Sequence, residues 1–409
     1  MRPLTRRLGA AAVAAAALLA AACGDVLEVR NPGPIPDEDL NRTDAVQSLV
    51  NGMSLDLSRA IDPLTQGTAI MADELYHGGS YAAEGLWNRG IINAEDVNGL
   101  WGNTHRARWV AESGAERLKT VLGQAEFDKS PFAARAYIYA GLANRTLGEL
   151  FCDAVIDGGP REANTVHFTR AEAQFTEAIR IATAVTPTAV RDSLLRVAYG
   201  GRASVRAWQG KWAEAAQDAA LVPTAYTFVA FYSTNRAIEN NDTAFETQQT
   251  GGRREFTVFN TAWATVTDDP RVPWLSTTLN GQDGRTRFFR QMKYPNLDSD
   301  IPLVKGTEML ILRAEERLRA GDVAGAMQRI NDVRTFHRLP AVTATTAEQA
   351  WPILQRERGA TTWIESRRLW DLRRWNAEPA PIKNTFLDSR AKCIPISENE
   401  RLSNPNLRS

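Results

Sequence analysis

Two stretches of this chain can be laid over one another: Gly210-Lys211-Trp212-Ala213-Glu214-Ala215 and Gly321-Asp322-Val323-Ala324-Gly325-Ala326. Each follows a helical pattern (Leu194 to Trp208; Glu308 to Arg319) and opens another (Lys211 to Leu221; Val323 to Arg338). The turns between them, Gln209-Gly210 and Ala320-Gly321-Asp322, are short. Small residues at matching places let two antiparallel helices approach closely. A helix pair built this way leaves one face uncovered, so several must stack.

Such pairs read as tetratricopeptide hairpins, and the other periodicities agree. Val46, Leu49, Val50, Met53 and Leu57 share one helical face, predicting a helix from near Asn41. A second pattern runs from Trp101 to Val121. Ser130-Pro131, a capping residue followed by proline at the first helical position, opens a helix through Tyr137, Ile138, Leu142 and Leu147. Thr169-Arg170-Ala171-Glu172 reads as a capping box leading into Phe175, Ile179 and Ala182, with Trp212, Ala215, Ala216 and Ala219 expected inward further on. One last helix is expected from Thr346 through Trp375. Residues 222–305 differ in kind, with many Thr, Asn and Asp, glycines such as Gly251-Gly252, and short apolar segments such as Phe256-Thr257-Val258-Phe259. The expected fold is all-α. Tetratricopeptide-like hairpins occupy 43–221 and 306–378, a loop-rich cap with few short strands occupies 222–305, and an extended tail runs over 379–409.

The N-terminus is of another type. Arg2, Arg6 and Arg7 precede an apolar run from Leu8 to Ala22. This is the layout of a secretory signal, 1–22, and the run is shorter than the roughly 20 residues of a spanning helix. Leu19-Ala20-Ala21-Ala22-Cys23 is similar to a bacterial lipobox, with Leu one place earlier than usual. Cys23 is then the lipidation site and the mature N-terminus. Gly24 in place of Asp removes the inner-membrane retention signal, so the expected address is the outer membrane, with the lipid-anchored body facing the cell surface. Asn31-Pro32-Gly33-Pro34-Ile35-Pro36 makes 23–42 a helix-refusing tether.

Composition removes some classes. Lys+Arg and Asp+Glu number 48 each, giving no field to attract nucleic acid or an anionic membrane. Cys152 and Cys393 either pair, as a compartment outside the cytoplasm allows, or stand as two thiols. His77, His105, His167 and His337 show no metal-ligand spacing, and Asp268-Asp269 and Asp298-Ser299-Asp300 lack the glycine and terminal Glu of a calcium loop. No metal or cofactor is expected. Gly78-Gly79-Ser80-Tyr81-Ala82 misses the last glycine of a hydrolase elbow, and no strand is expected before it.

Aromatic side chains carry the functional expectation. Sugar rings have apolar C–H faces that stack on Trp and Tyr, and glycine-rich loops on a rigid scaffold shape the pocket. Tyr76, Tyr81 and Trp87 lie in one such stretch with Asp73 beside them; Trp263 and Trp274 lie in the other. A ligand site is expected near Trp87 and Tyr81.

Three C-terminal segments carry a resemblance. Glu365-Ser366-Arg367-Arg368-Leu369-Trp370-Asp371-Leu372-Arg373-Arg374-Trp375 resembles the E-G-x-R-x-x-D-L-R-R-W stretch of the SusD/RagB family, with Ser366 where Gly is usual. Thr361 stands where the family commonly has another Glu, which would remove one buried ion pair. Ile330-Asn331-Asp332-Val333-Arg334 before Leu339-Pro340, and Ile394-Pro395-Ile396-Ser397-Glu398 before Asn404-Pro405-Asn406-Leu407, are similar to two further elements. The resemblance implies a surface lipoprotein of the outer membrane that binds oligosaccharide or peptide without altering it. It implies delivery to a SusC-like TonB-dependent barrel. A lipid-anchored glycosidase and a tetratricopeptide scaffold for protein partners are the competing readings.

Overall fold

The computed structural model describes residues 37–248 and 250–408, so the expected signal peptide, Cys23 and the proline run to Pro36 lie outside the described residues. The chain divides into two units, Met1–Ala45 and Val46–Ser409. In the first, the described residues form 3-10 turns at Asp37–Asn41 and Thr43–Ala45, so the end of the expected tether is wound rather than extended. Arg42 pairs with Asp44 at 2.7 Å there.

The second unit is mainly helical. Its first half holds α1 (Val46–Met71), α2 (Ala82–Asn88), α3 (Asn98–Leu122), α4 (Gln124–Phe127), α5 (Pro131–Leu150), α6 (Thr165–Thr183), α7 (Thr188–Trp208) and α8 (Trp212–Ala220). A short α9 (Asp242–Glu246) sits in the cap, followed by α10 (Gly306–Arg319), α11 (Val323–Phe336), α12 (Ala347–Thr361), α13 (Arg368–Asn376) and α14 (Glu398–Ser403). Val46, Leu49, Val50, Met53 and Leu57 are all buried, as their spacing requires. Ser130 Oγ accepts from the backbone N–H groups of Phe132 and Ala133 at 3.2 and 3.4 Å, the cap expected for α5.

Both hairpin turns form. Gly210 and Gly321 take φ of +77° and +81°, left-handed backbone that glycine adopts without steric cost. Across them, Ala215, Ala219 and Ala326 are buried at the helix contacts. Trp212 and Ala216 are only half-buried. Ala203, Ala207, Ala215, Ala219 and Val222 share one apolar cluster with Met309 and Leu312, so the two hairpins stack although the cap separates them in sequence. A second cluster joins Ile311, Ala314, Ile330, Val333, Trp351, Leu354 and Trp375 across α10 to α13.

The cap closes at its base. Strands β4 (Thr227–Ala230) and β8 (Ile301–Lys305) pair antiparallel, and the Gly306 N–H donates to Tyr226 O at 2.9 Å. Those bonds bring the two ends of the insert together where α10 begins. Above them, β1 (Tyr76–His77) pairs with β5 (Phe256–Thr257), and β6 (Trp274–Asn280) with β7 (Arg287–Gln291). Elsewhere, β2 (Asp153–Val155) pairs with β3 (Arg161–Ala163).

Two expected helix boundaries are corrected. Helix α6 starts at Thr165, so Thr169 is interior and no capping box forms. The earlier turn is held by burial of His167 and Phe168 and by the 2.8 Å bond between His167 Nδ1 and Asn144 Oδ1. Glu172 instead accepts from Arg206, Gln209 and Lys211 across the stack. The expected Thr346–Trp375 helix is broken at 362–367, where Ile364 and Ser366 have φ of +52° and +60°. For β-branched Ile364 that conformation is costly. It is pinned on both sides, its N–H donating to Glu74 Oε1 and its carbonyl accepting from Tyr294 Oη, both at 2.7 Å.

Cys152 and Cys393 form a disulfide, with Cα atoms 5.1 Å apart. The backbone beside it is also joined: Cys152 N–H donates to Ile394 O, and Ile394 N–H to Leu150 O, each at 2.9 Å. The tail is therefore stitched to the end of α5. It is not wholly extended, since Glu398–Ser403 and Pro405–Leu407 are helical. None of the described helices is long and apolar enough to cross a membrane.

Candidate ligand-binding site

The solvent face of α1 carries an uncommon pattern. Ser48, Asn51, Leu55, Ser58 and Asp62 recur every three or four residues along one side, with Arg59 beside them and neither Lys nor Glu in the helix. Long charged side chains usually occupy such a face. Here the segment after β4 lies across it. Its anchor is Asp62, whose carboxylate accepts from Thr243 N–H at 2.9 Å and Thr243 Oγ1 at 2.8 Å, and from Asp242 N–H. Tyr232 Oη donates to Ser58 O at 2.8 Å.

The result is a trough whose far wall is Phe231, 64% exposed, with Ile238 beside it, 48% exposed. Three concavities adjoin along it. One of about 280 Å³ is floored by Ser58, Arg59 and Asp62, with Asn103 and Asn240 at its sides. A wider one of about 630 Å³ runs past Ser48, Asn51 and Ser54. A third, about 460 Å³, continues on the other side of Phe231 against Tyr139, Val190 and Phe228. From Ser48 to Asp62 the helix rises about 21 Å. Hydroxyl, amide and guanidinium groups thus line one wall and an exposed ring the other. An arrangement of that kind suits a long ligand with apolar faces and many hydroxyl or amide groups.

Burial raises the Asp62 pKa to about 7, against the opposing bonds from Asp242 and Thr243. Burial likewise raises nearby Glu246 to about 7, assisted by the negative charges of Glu255 and Asp242. The cap side of the trough is therefore sensitive to pH near neutrality.

The sequence-selected residues fall elsewhere. Trp87 is 5% exposed and packs on α1, its ring 3.2 Å from where a Cβ on Gly67 would stand. Asp73 makes a two-pronged pair with Arg368, both bonds 2.7 Å, and the Arg368 guanidinium lies over the ring of buried Trp263 at 5.8 Å. These three side chains are engaged in packing and pairing. Tyr76 is half-buried on β1, and Tyr81 is half-buried beneath the Arg253 guanidinium at 5.2 Å. Trp274 stacks on Phe289 (centroids 5.0 Å, planes 4° apart) and donates to Val266 O at 2.6 Å. It borders a separate cleft of about 640 Å³ with Asp268, Pro270 and Leu275. Phe289 links this ribbon to β5 through its N–H bond to Thr257 Oγ1 (2.7 Å), so Tyr76 and Trp274 belong to one small β layer.

Other sequence features also find their places. His105 and His167 come within 6.0 Å ring to ring. A two-residue strand, β1, does precede Ser80, whose N–H donates to Glu255 Oε2 at 2.8 Å. Thr361 answers Arg271 with its hydroxyl at 3.2 Å, while Asp269 and Glu357 supply the charges. Phe231 carries no glycine-rich signal in the sequence that would mark it as a binding ring. The Ser48–Asp62 stripe was legible, though nothing in the sequence shows which segment covers it.

A sequence model of the SusD family matches residues 291–407. No curated protein matches the chain. Among solved structures, a SusD superfamily protein from Bacteroides thetaiotaomicron superposes with TM-score 0.67 at 16% identity, covering 90% of this chain and 97% of that one. A SusD superfamily protein from Parabacteroides distasonis gives 0.66 at 12% identity, with coverage of 89% and 98%. A SusD-like carbohydrate binding protein from Bacteroides vulgatus gives 0.60 at 15% identity, covering 81% and 83%. These likenesses establish the fold.

Proposed function

We propose that the chain, whose residues 291–407 match the SusD family model, is a SusD/RagB family member that captures a linear oligosaccharide, or an extended peptide, in the trough along α1 and passes it on unaltered. The observation that carries the reading is Phe231, a large ring left 64% exposed opposite a wall of serines and asparagines. A ring so placed stacks on an apolar sugar face, and Ser48, Asn51, Ser58 and Arg59 hydrogen-bond hydroxyl or amide groups. Tyr81 and Trp274 keep some exposed surface, but outside the trough. Trp87, Trp263 and Asp73 are taken up in packing and pairing away from the trough. The name of the Bacteroides vulgatus neighbour favours carbohydrate over peptide.

The recipient in this reading is a TonB-dependent SusC-like barrel, with the protein held beside it at the outer membrane by lipid on Cys23. The sequence Leu19 to Gly24 and the proline run behind it support that placement. Calorimetry against neutral linear oligosaccharides tests the reading. Wild type binds at least one, and Phe231→Ala weakens it about tenfold, the worth of one good stacking contact, at unchanged melting temperature. Affinity indifferent to the ring removes the trough from the account. Shortened oligosaccharide after incubation identifies a glycosidase instead, and a large barrel co-purifying from detergent-solubilised outer membrane supports the transfer step.

A further inference from the structure

Away from the trough, on the helical stack, α3 exposes Trp109 to 55%. An exposed tryptophan offers a large flat apolar face with one N–H donor, the kind of side chain enriched at binding surfaces. Trp109 borders a cleft of about 350 Å³, which also has Ser113, Tyr137, Asp157 and Arg170 in its walls. The cleft floor is rigid. Glu112 accepts from Arg108 at 2.7 Å, Arg170 at 2.8 Å, Asn144 at 2.9 Å and Gln174 at 2.7 Å, so one carboxylate ties α3 to α5 and α6. Arg108 reaches on to Asp157. Arg170 keeps its Nε, shielded from solvent, without a hydrogen-bond partner in the protein.

We propose that this cleft is a second saccharide-binding site, independent of the trough, in which Trp109 stacks on the face of a neutral sugar ring. Several observations select that chemistry. Three carboxylates, Glu112, Glu116 and Asp157, outnumber the two arginines, Arg108 and Arg170, so the cleft carries no positive charge to recruit an anion. Its polar groups are held in place before any ligand arrives, which lowers the entropic cost of hydrogen-bonding hydroxyls. Ser113 and Tyr137 supply hydroxyls, Asp157 an acceptor that is 55% exposed, and Arg170 further donors. A concave polar wall with a single flat ring suits a sugar better than a protein surface, which would call for a broader apolar patch. Two sites on one molecule would let a polysaccharide be held at two points, gaining strength through effective concentration.

The test uses the Phe231→Ala chain, labelled with 5-fluorotryptophan, with Trp109→Phe assigning the resonance. Cellohexaose, xylohexaose, mannohexaose and maltohexaose are added separately at millimolar concentration. At least one is expected to move the Trp109 signal in a saturable way, and Arg170→Ala to weaken that response about tenfold. A Trp109 signal unmoved by all four overturns the proposal, including the case where only an added outer-membrane barrel moves it. Because the trough is already disabled in this background, loss of the trough reading by calorimetry and loss of this one are separate results.

Discussion

Glu74 and Ile364, 290 positions apart, are joined by a buried hydrogen bond of 2.7 Å from the Ile364 N–H to Glu74 Oε1. Burial raises Glu74 to about 8, and Asp62 and Glu246 to about 7. In the unfolded chain these carboxyls ionise near pH 4. Between there and pH 7–8 the folded protein holds protons that the unfolded chain has lost. Their stabilisation is full at low pH and disappears as pH rises through 7 to 8. Burial also lowers His105 and His167 to about 3, so below about pH 6.5 the unfolded chain takes up protons and opposes them. Up to about pH 6.5 the two histidines offset most of the carboxyl loss, and above it the carboxyls act alone, so stability is expected to fall most steeply between pH 6.5 and 8, with each carboxyl contributing up to about 1.4 kcal/mol per pH unit. Glu74→Gln keeps the bond to Ile364 and removes one titration. Denaturant melts at pH 6 and pH 8 should show a smaller difference in the variant, and an unchanged difference refutes the assignment.

Ser366 offers a test of backbone conformation. Its φ of +60° suits glycine, and its Oγ lies 2.8 Å from Thr65 Oγ1. Ser366→Gly relieves about 1 kcal/mol of strain and gives up a hydrogen bond of about 1 kcal/mol, so the melting temperature should barely change. Ser366→Ala gives up the bond and keeps the strain, and is expected to cost about 1 kcal/mol. Equal effects from both substitutions count against the explanation.

Asp73 separates a structural ion pair from a ligand contact. Removing it strands the Arg368 guanidinium, whose side chain is 8% exposed. Asp73→Ala should cost about 3 kcal/mol of stability, read by chemical denaturation, whereas oligosaccharide affinity of the still-folded variant should stay within about twofold. Lost affinity with unchanged stability would return Asp73 to the ligand site.

The disulfide closes a loop with a sequence separation of 241. Constraining so long a loop in the unfolded chain is worth about 5 kcal/mol in the chain-entropy model. Cys152→Ser with Cys393→Ser should lower stability by about 3–5 kcal/mol, because the Cys152–Ile394 and Ile394–Leu150 backbone bonds remain to hold the tail. Melting with and without reductant checks it: wild type under reduction should match the double variant.

Local signals in the sequence sufficed where one element decides its own shape. The buried face of α1, the Ser130 cap and the two glycine turns were all legible from spacing and residue type. The failures were tertiary. Thr346 to Trp375 has a continuous helical pattern, and only Glu74, Tyr294 and Thr65, remote in sequence, hold the break open. Trp87 and Trp263 are rings in glycine-rich chain, and in sequence a packed ring and an exposed one carry the same cues. Phe231 became visible only once Asp62 had drawn the 231–246 segment across α1.

The pairing of Cys152 with Cys393 leaves one cysteine of the chain's three unaccounted for, Cys23. Unreduced protein from its native source thus carries at most a single reactive sulfhydryl, and the acylation proposed at residue 23 would bring that to zero. Colorimetric thiol counting, the cheapest assay in the laboratory, becomes a direct test of the proposed anchor.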